Sequence, residues 1–299
     1  MDAILDRRPE TGWDRFKASP LLFFTRLVYS RTHDKIDAGC VRVVCISDTH
    51  NSHLSQPPLP SGDILIHSGD LTQSGSRQEL EGALSWLNSQ PHPHKFFIAG
   101  NHDSCLASRE TRLHIAATYP GLVYLENTST DVAVRGHKLH IYGSPYTPKH
   151  GSFVFQYPRV HDPSQNLSEQ DQSTKIWSSI PPLADIVITH GPPFAHLDLD
   201  RTGCYALLAA LWRVRPRLHV FGHIHGGRGV EYVKWDKEQR AYEDICAGRA
   251  GWGGLVRLLL GRLAAWFSSG GTQGTLLVNA AAVGGLKDDQ TKGAVVVDI

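Results

Sequence analysis

Five stretches of the chain end an apolar run on residues able to hold a metal ion. Val41 to Ile46 breaks into Ser47-Asp48-Thr49-His50, and Ile64 to His67 runs into Ser68-Gly69-Asp70. Phe96 to Ala99 delivers Gly100-Asn101-His102-Asp103, Ile186 to Thr189 delivers His190, and Leu218 to Phe221 delivers Gly222-His223-Ile224-His225. Short runs rich in β-branched and aromatic residues, bounded by glycine and polar residues, read as buried strands. A strand that finishes on Asp or His places that group at its carboxyl end, where open α/β sheets keep their ligands. Taken singly, each ending is ordinary: Gly-Asp is a turn, and an isolated His is more often a core or surface residue than a ligand. Five such endings in one chain are not explained as turn chemistry.

Pooled, they offer the carboxylates of Asp48 and Asp70, the amide oxygen of Asn101, and the imidazoles of His50, His190, His223 and His225, with His102 and Asp103 beside them. One ion cannot use that many donors, whereas two ions sharing a bridging carboxylate can. Imidazoles with carboxylates and no thiolate suit Mn²⁺, Fe²⁺ or Zn²⁺ better than Ca²⁺ or Mg²⁺. Two divalent ions, two aspartates and a bridging hydroxide leave a charge of about +1, which attracts an anion with several oxygens. Such a pair, about 3.5–4 Å apart, clamps phosphate oxygens and lowers the pKa of a shared water. The predicted chemistry is metal-dependent hydrolysis of a phosphoester.

The elements that must position these groups alternate. After the first strand and a Pro-rich loop comes the second strand, then a helix opened by a capping box at Ser76 and Glu79, with Leu80, Leu84 and Leu87 on one stripe. A second helix over about Arg109 to Thr118 follows the third strand. Strand, polar loop and helix in succession predict a largely parallel sheet. Short strands at Val123 to Leu125, Asp131 to Val134 and Lys138 to Tyr142 predict a second sheet, and residues 144–180 read as loop. A helix over Cys204 to Val214 precedes the Leu218 strand, and strands at Leu276 to Asn279 and Ala294 to Ile299 close the domain.

In this order the five endings resemble the signatures of the calcineurin-like metallophosphoesterases. The likeness to the metallophosphoesterase-domain-containing subgroup extends through Val44 to His50, Gly62 to His67, Ile98 to His102, Thr189 to Pro193 and His219 to His225. The resemblance covers residues 41 to about 230 and again 275 to 299. It implies an α/β fold, a four-layer αββα sandwich of two mixed β-sheets flanked by helices. It also implies two divalent metal ions: Asp48, His50 and His225 on the first, Asn101, His190 and His223 on the second, and Asp70 bridging them. His102 would face the scissile phosphate and protonate or stabilise the leaving oxygen, and Asp103 would orient it. The implied reaction is hydrolysis of phosphodiesters or small phosphomonoesters by a hydroxide bridging the two ions, on a phosphorylated small-molecule or nucleotide substrate. A serine/threonine protein phosphatase and a catalytically weak metal-binding scaffold are the alternatives. His67 reads as a hydrogen-bonding core residue and Asn279 as a supporting residue on a closing strand.

The domain plan is a 1–40 N-terminal extension and a 41–299 metallophosphoesterase domain with an insertion at about 234–274. The extension carries Leu21, Leu22, Phe23, Phe24, Leu27 and Val28 and reads as a helix or arm packed on the body. Within the insertion, Leu255 to Phe267 is an apolar helix marked by Arg257 and Arg262; about 13 residues cannot span a bilayer. It reads as a cover helix first, with a lid over the site and a peripheral membrane or protein contact as the alternatives.

In 299 residues there are 30 Lys plus Arg against 29 Asp plus Glu, which argues against a general nucleic-acid binder. Five cysteines (Cys40, Cys45, Cys105, Cys204 and Cys246) form no C-x-x-C pair, so neither a disulfide framework nor a thiolate zinc site is expected. With Asp2, Asp6 and Glu10 at the start the chain shows no secretory signal, and the expected location is cytoplasmic.

Overall fold

β1 (Arg42–Ile46) is buried from Val43 onward, as a strand covered on both faces must be. It is an inner strand of a five-stranded sheet. The structure, a computed structural model, describes residues 11–29, 41–159, 167–199, 202–266, 274–284 and 290–299. Cys40, Pro163, Phe267, residues 1–10 and 30–40 of the extension and 267–273 of the insertion lie outside the described residues.

The chain divides into two compact units: Lys35–Glu231 with Thr275–Ile299, and Met1–Asp34 with Tyr232–Gly274. In the larger unit, β1 pairs in parallel with β2 (Ile64–His67), β2 with β3 (His94–Phe97), and β3 with β4 (Leu122–Tyr124). The closing strand β15 (Val295–Asp298) runs antiparallel on the other side of β1. A second sheet has β12 (Gly274–Asn279), β10 (Leu218–Phe221), β9 (Ile186–Thr189) and β6 (His137–Ser144) in parallel, with β5 (Thr128–Val134) antiparallel at one edge and β11 (Gly229–Lys234) at the other. Two short pairs, β7 (Thr147–Pro148) with β8 (Gln156–Tyr157) and β13 (Val283–Gly284) with β14 (Gln290–Thr291), lie outside these sheets.

On the first sheet, α3 (Arg77–Ser89) buries Leu80, Ala83, Leu84 and Leu87 against Val44, Ile46, Leu65 and Phe97, and Ile115 of α4 (Arg109–Thr118) joins the same core. Beside the second sheet, α6 (Tyr205–Val214) buries Leu207, Leu208 and Leu211, and its Arg213 binds the carbonyls of Trp177 and Ile180 at the end of α5 (Leu167–Ser178). Two mixed sheets with helices on their outer faces form the αββα sandwich.

Three sequence expectations change. The segment 144–180 is not all loop: α5 forms there, and its polar sequence, in which Trp177 is the one deeply buried apolar side chain among those described, carries no apolar stripe to reveal it. The strand near Val123 closes the first sheet rather than starting the second. Glu79 does not complete the capping box: Ser76 Oγ accepts from Glu79 N, but the Glu79 carboxylate accepts from Gln73 N and Ser74 N, at 3.0 and 2.8 Å.

The smaller unit joins the two segments expected to be separate embellishments. α1 (Gly12–Ala18) starts with a reciprocal cap between Thr11 and Asp14, and α2 (Pro20–Tyr29) places Pro20 where a missing N–H costs nothing. Tyr29 at the end of α2 stacks on Tyr242 of α7 (Lys237–Cys246) at 3.6 Å, and its hydroxyl donates to the Gln239 side chain. Gln239 in turn donates to Glu243 at 2.8 Å. α8 (Trp252–Trp266) packs on α7 through Gly254 and Gly261; a Cβ on Gly254 would lie 3.0 Å from Ile245, and one on Gly261 2.7 Å from Glu238. The helix expected as a cover, α8, packs in a helical cluster built from the N-terminal extension and the insertion.

Leu84→Ala would leave a void beneath β1 and β2 and is expected to cost about 2–5 kcal/mol in urea denaturation. Leu113→Ala, on the exposed side of α4, should stay within about 0.5 kcal/mol of wild type.

Candidate metal centre

Parallel pairing brings the carboxyl ends of β1, β2 and β3 side by side, and those of β9 and β10 likewise in the other sheet. The two edges are stitched together. Ser47 N donates to Ala280 O and Ala282 N to Ser47 O, at 3.0 and 2.7 Å, and His190 Nδ1 donates to Ser68 O at 2.9 Å. All seven residues expected to bind metal converge there.

Three groups of donor atoms each lie within 4.8 Å of one another: Asp48, His50 and His225; Asp70, His190 and His223; and His50, Asp70 and His102. The first is the triad expected for one ion. The second, with Asn101 Oδ1 at 3.1 Å from His190 Nε2, is the set expected for the other. Asp70 stands between them, its Oδ2 at 3.2 Å from His190 Nε2 and 3.6 Å from His50 Nε2.

The loops hold uncommon backbone to achieve this. Asp48, His50, Asp70 and His223 all sit in the left-handed region, with φ of 52°, 42°, 53° and 66°. Asp and His tolerate it better than most residues, but each still costs of order 1 kcal/mol, and such outliers gather at functional sites. Small neighbours leave room: a Cβ on Gly100 would lie 2.2 Å from Asp70 Oδ1, and one on Gly222 1.9 Å from Asp48 Oδ2. The glycines of Gly-Asn-His-Asp and Gly-His-x-His are there because a carboxylate occupies the space of a side chain.

The hydrogen bonding calls for cations. His190 spends its Nδ1 proton on Ser68 O, so Nε2 can face Asp70 and Asn101 oxygens favourably only with a second proton or a metal ion. His50 Nε2 and His225 Nε2 lie 3.3 Å apart, close enough for one ring to donate to the other or for both lone pairs to face a shared cation. Burial opposes charge on Asp48, yet bonding to His225 and the charge of His190 hold it down at about 2. Burial likewise opposes charge on Asp70, and His190 holds it well below the usual carboxylate range. Burial disfavours the His190 imidazolium, but the Asp70 carboxylate outweighs it and lifts the group to about 9. His223, buried and beside His190, is pushed down to about 3, so it stays neutral and able to donate a lone pair. The donor set fits two divalent ions.

His102 stands at the rim, its ring edge-on to His50 at 4.8 Å. Its backbone N–H donates to Asp70 Oδ1 at 2.8 Å. The orienting contact expected from Asp103 is absent. His102 Nδ1 donates instead to the Gln73 carbonyl at 2.8 Å, on the turn that Glu79 caps. Asp103, fully buried, accepts from Gly100 N, Leu71 N, Thr72 N and Thr72 Oγ1, fastening the β2 loop to the β3 loop. Burial, then the charge of Asp70, raises it to about 6.

The other expectations find definite places. His67 Nε2 pairs with Thr49 Oγ1 at 3.1 Å beneath the site. Asn279 donates to Ile224 O at 2.9 Å, pinning the peptide between His223 and His225. Sequence reasoning missed His150, whose ring lies 4.5 Å from that of His223, and Phe153, 4.9 Å from His102. Both come from the stretch without periodicity, and nothing in their spacing distinguishes them.

The site and sandwich define a class: an α/β metallophosphoesterase-type scaffold with clustered candidate metal ligands. The profile of the family described as calcineurin-like phosphoesterase matches residues 41–227, and the chain belongs to that family. Metallophosphoesterase domain-containing protein 1 of Homo sapiens is 37% identical over 219 residues, covering 64% of this chain and 63% of its own length. A Caenorhabditis elegans protein, UPF0046 protein K07C11.7, is 34% identical over 201 residues, 64% of this chain and 65% of its own. Probable rhamnogalacturonate lyase C of Emericella nidulans is 45% identical over 315 residues, covering 100% of this chain but 29% of its own length. The chain thus spans less than two thirds of these curated relatives, and the lyase name belongs to a protein more than three times the matched length.

Gly222→Ala would force its Cβ onto Asp48. It is expected to destabilise the fold by about 1–3 kcal/mol in urea denaturation and to leave the protein with less than its full complement of bound Mn²⁺ by elemental analysis. Full metal content in a stable variant would contradict the packing described for Asp48.

Proposed function

We propose that this chain hydrolyses phosphodiesters or small phosphomonoesters with two divalent ions held by Asp48, His50, Asp70, Asn101, His190, His223 and His225. The observation that carries the reading is the pair of donor triads, Asp48–His50–His225 and Asp70–His190–His223, with Asp70 Oδ2 3.6 Å from His50 Nε2, in a member of a phosphoesterase family. When bound, the ions supply positive charge to the phosphate oxygens and an acidified water as nucleophile.

The chain's own groups do the rest. Asp48 and Asp70 keep the site anionic enough to retain two ions, and the neutral imidazoles complete the coordination without adding charge. His102 donates Nδ1–H to Gln73 O, which leaves Nε2 to carry the second proton of an imidazolium and give it to the leaving oxygen. Glu79 acts through the turn: by holding Gln73 N and Ser74 N it sets the carbonyl that sets the His102 ring. His150 and Phe153 border the His223 and His102 rings and are suited to contact the ester beyond the phosphate.

The test is hydrolysis of an aryl phosphodiester with Mn²⁺, run in parallel with cyclic nucleotides, phosphomonoesters and a phosphopeptide. Activity is expected to vanish with chelator, return with metal, and fall by about 10³-fold or more in Asp70→Ala. Full activity without metal or in that variant contradicts the proposal, and turnover confined to the phosphopeptide would make the chain a protein phosphatase.

Leaving-group dependence isolates His102. His102→Gln is expected to lower kcat about 10²–10⁴-fold on alkyl esters, whose leaving oxygen needs a proton, and far less on p-nitrophenyl esters. Glu79→Ala should follow the same pattern at about tenfold with KM little changed; equal losses on both ester types would remove both residues from proton transfer.

A further inference from the structure

Within the smaller unit, α8 turns one continuous apolar strip to solvent. Trp252, Val256, Leu259, Leu260 and Leu263 are exposed, with Trp252 at 56% and Leu260 at 60%, whereas Gly254, Leu255 and Leu258 are buried. Wound at 100° per residue, the five exposed positions fall within an arc of about 100°. Arg257 and Arg262, both exposed, stand about 110° to either side of its middle. An apolar strip edged on both flanks by arginines is the pattern of a helix lying in a membrane interface, its stems buried and its guanidiniums reaching headgroups.

The strip does not end with α8. Phe24 of α2 lies 6.4 Å from Trp252, Phe16 of α1 lies 5.9 Å from Phe24, and Trp13 stacks on Phe16 at 5.3 Å. Trp13 and Leu27 are each 64% exposed. Two exposed tryptophans, Trp13 and Trp252, at an apolar rim suit the headgroup level of a bilayer. The charge is one-sided as well: α1, α2 and α8 carry Arg15, Lys17, Arg26, Arg257 and Arg262 against the single acid Asp14. The acids of α7 do not dilute this: Glu238 lies under Gly261 on the far flank of α8, Glu243 is buried, and Asp244 is paired with Arg249 at 2.8 Å. No helix among the described residues is long and apolar enough to cross a membrane.

We infer that this unit docks the protein on an anionic phospholipid surface, with α8 lying in the interface and Arg257 and Arg262 on headgroup phosphates. Charge complementarity selects the occupant: a second copy would bring two basic rims together, whereas an anionic bilayer offers both an apolar layer and negative charge.

Co-sedimentation of the full chain with vesicles of phosphatidylcholine alone, or with 30 mol% phosphatidylserine, tests it. Binding to the phosphatidylserine vesicles is expected to be about tenfold or more tighter than to phosphatidylcholine, and to weaken with added salt. Arg257→Glu with Arg262→Glu should abolish that preference, and Leu260→Glu should lower binding to both vesicles about tenfold or more. Each variant's far-UV circular dichroism and esterase activity, which involve none of these residues, report whether the chain remains folded. No binding of the wild type, or equal binding by the folded variants, overturns the inference. A wild-type dimer that Leu260→Glu makes monomeric, without vesicle binding, also overturns it and assigns the strip to a second copy.

Discussion

A single buried carboxylate, Asp70, ties the site together. It sits on left-handed backbone, accepts the His102 amide through Oδ1, faces His190 and His50 through Oδ2, and fills the space where Gly100 would carry a side chain. Burying such a charge is costly unless it is met by hydrogen bonds and opposite charge. The surrounding architecture meets it: a second sheet delivers His190, the β3 loop folds back to present an amide, and Asp103 clamps the β2 and β3 loops so that neither can relax away. The two sheet edges meet around this group, joined as well by the backbone bonds of Ser47 with Ala280 and Ala282 and by His190 to Ser68.

That constraint explains which parts of the chemistry were readable from residues alone. A β-branched run that stops at Asp48, Asp70, Asn101, His190 or His223 is a local pattern, and parallel pairing turns each local ending into a member of a common rim. The glycines beside them were visible as letters, but their reason, the approach of Asp48 and Asp70, exists only in three dimensions. The place of Asp103 was misread because adjacency in sequence does not give adjacency of side chains. Its neighbour points to the rim while Asp103 is drawn inward by three amides. His102 is oriented by Gln73, 29 positions away, through a backbone carbonyl that no side-chain pattern announces. His150 and Phe153 lie in coil, where spacing carries no directional information.

The fold was legible to a similar degree. Strand–helix alternation yielded the first sheet, because amphipathic stripes such as Leu80-Leu84-Leu87 follow from packing on an apolar face. It failed for α5, which has no such stripe, and for the partition of the strands around Val123, because sheet membership depends on pairing between distant segments. The extension and the insertion were read apart since more than 200 residues separate Tyr29 from Tyr242; the stacking of those two rings brings both into one helical unit. The result is a chain with a sandwich carrying a candidate metal centre and a small helical unit whose surfaces ask for different partners.

The central claim is that the rim organised by Asp70 is a two-ion site. Anomalous diffraction at the Mn absorption edge, from crystals grown with Mn²⁺, measures this directly. The account predicts two peaks, one among Asp48, His50 and His225 and the other among Asn101, His190 and His223, with Asp70 beside both. No peak, or a single peak away from Asp70, would contradict it.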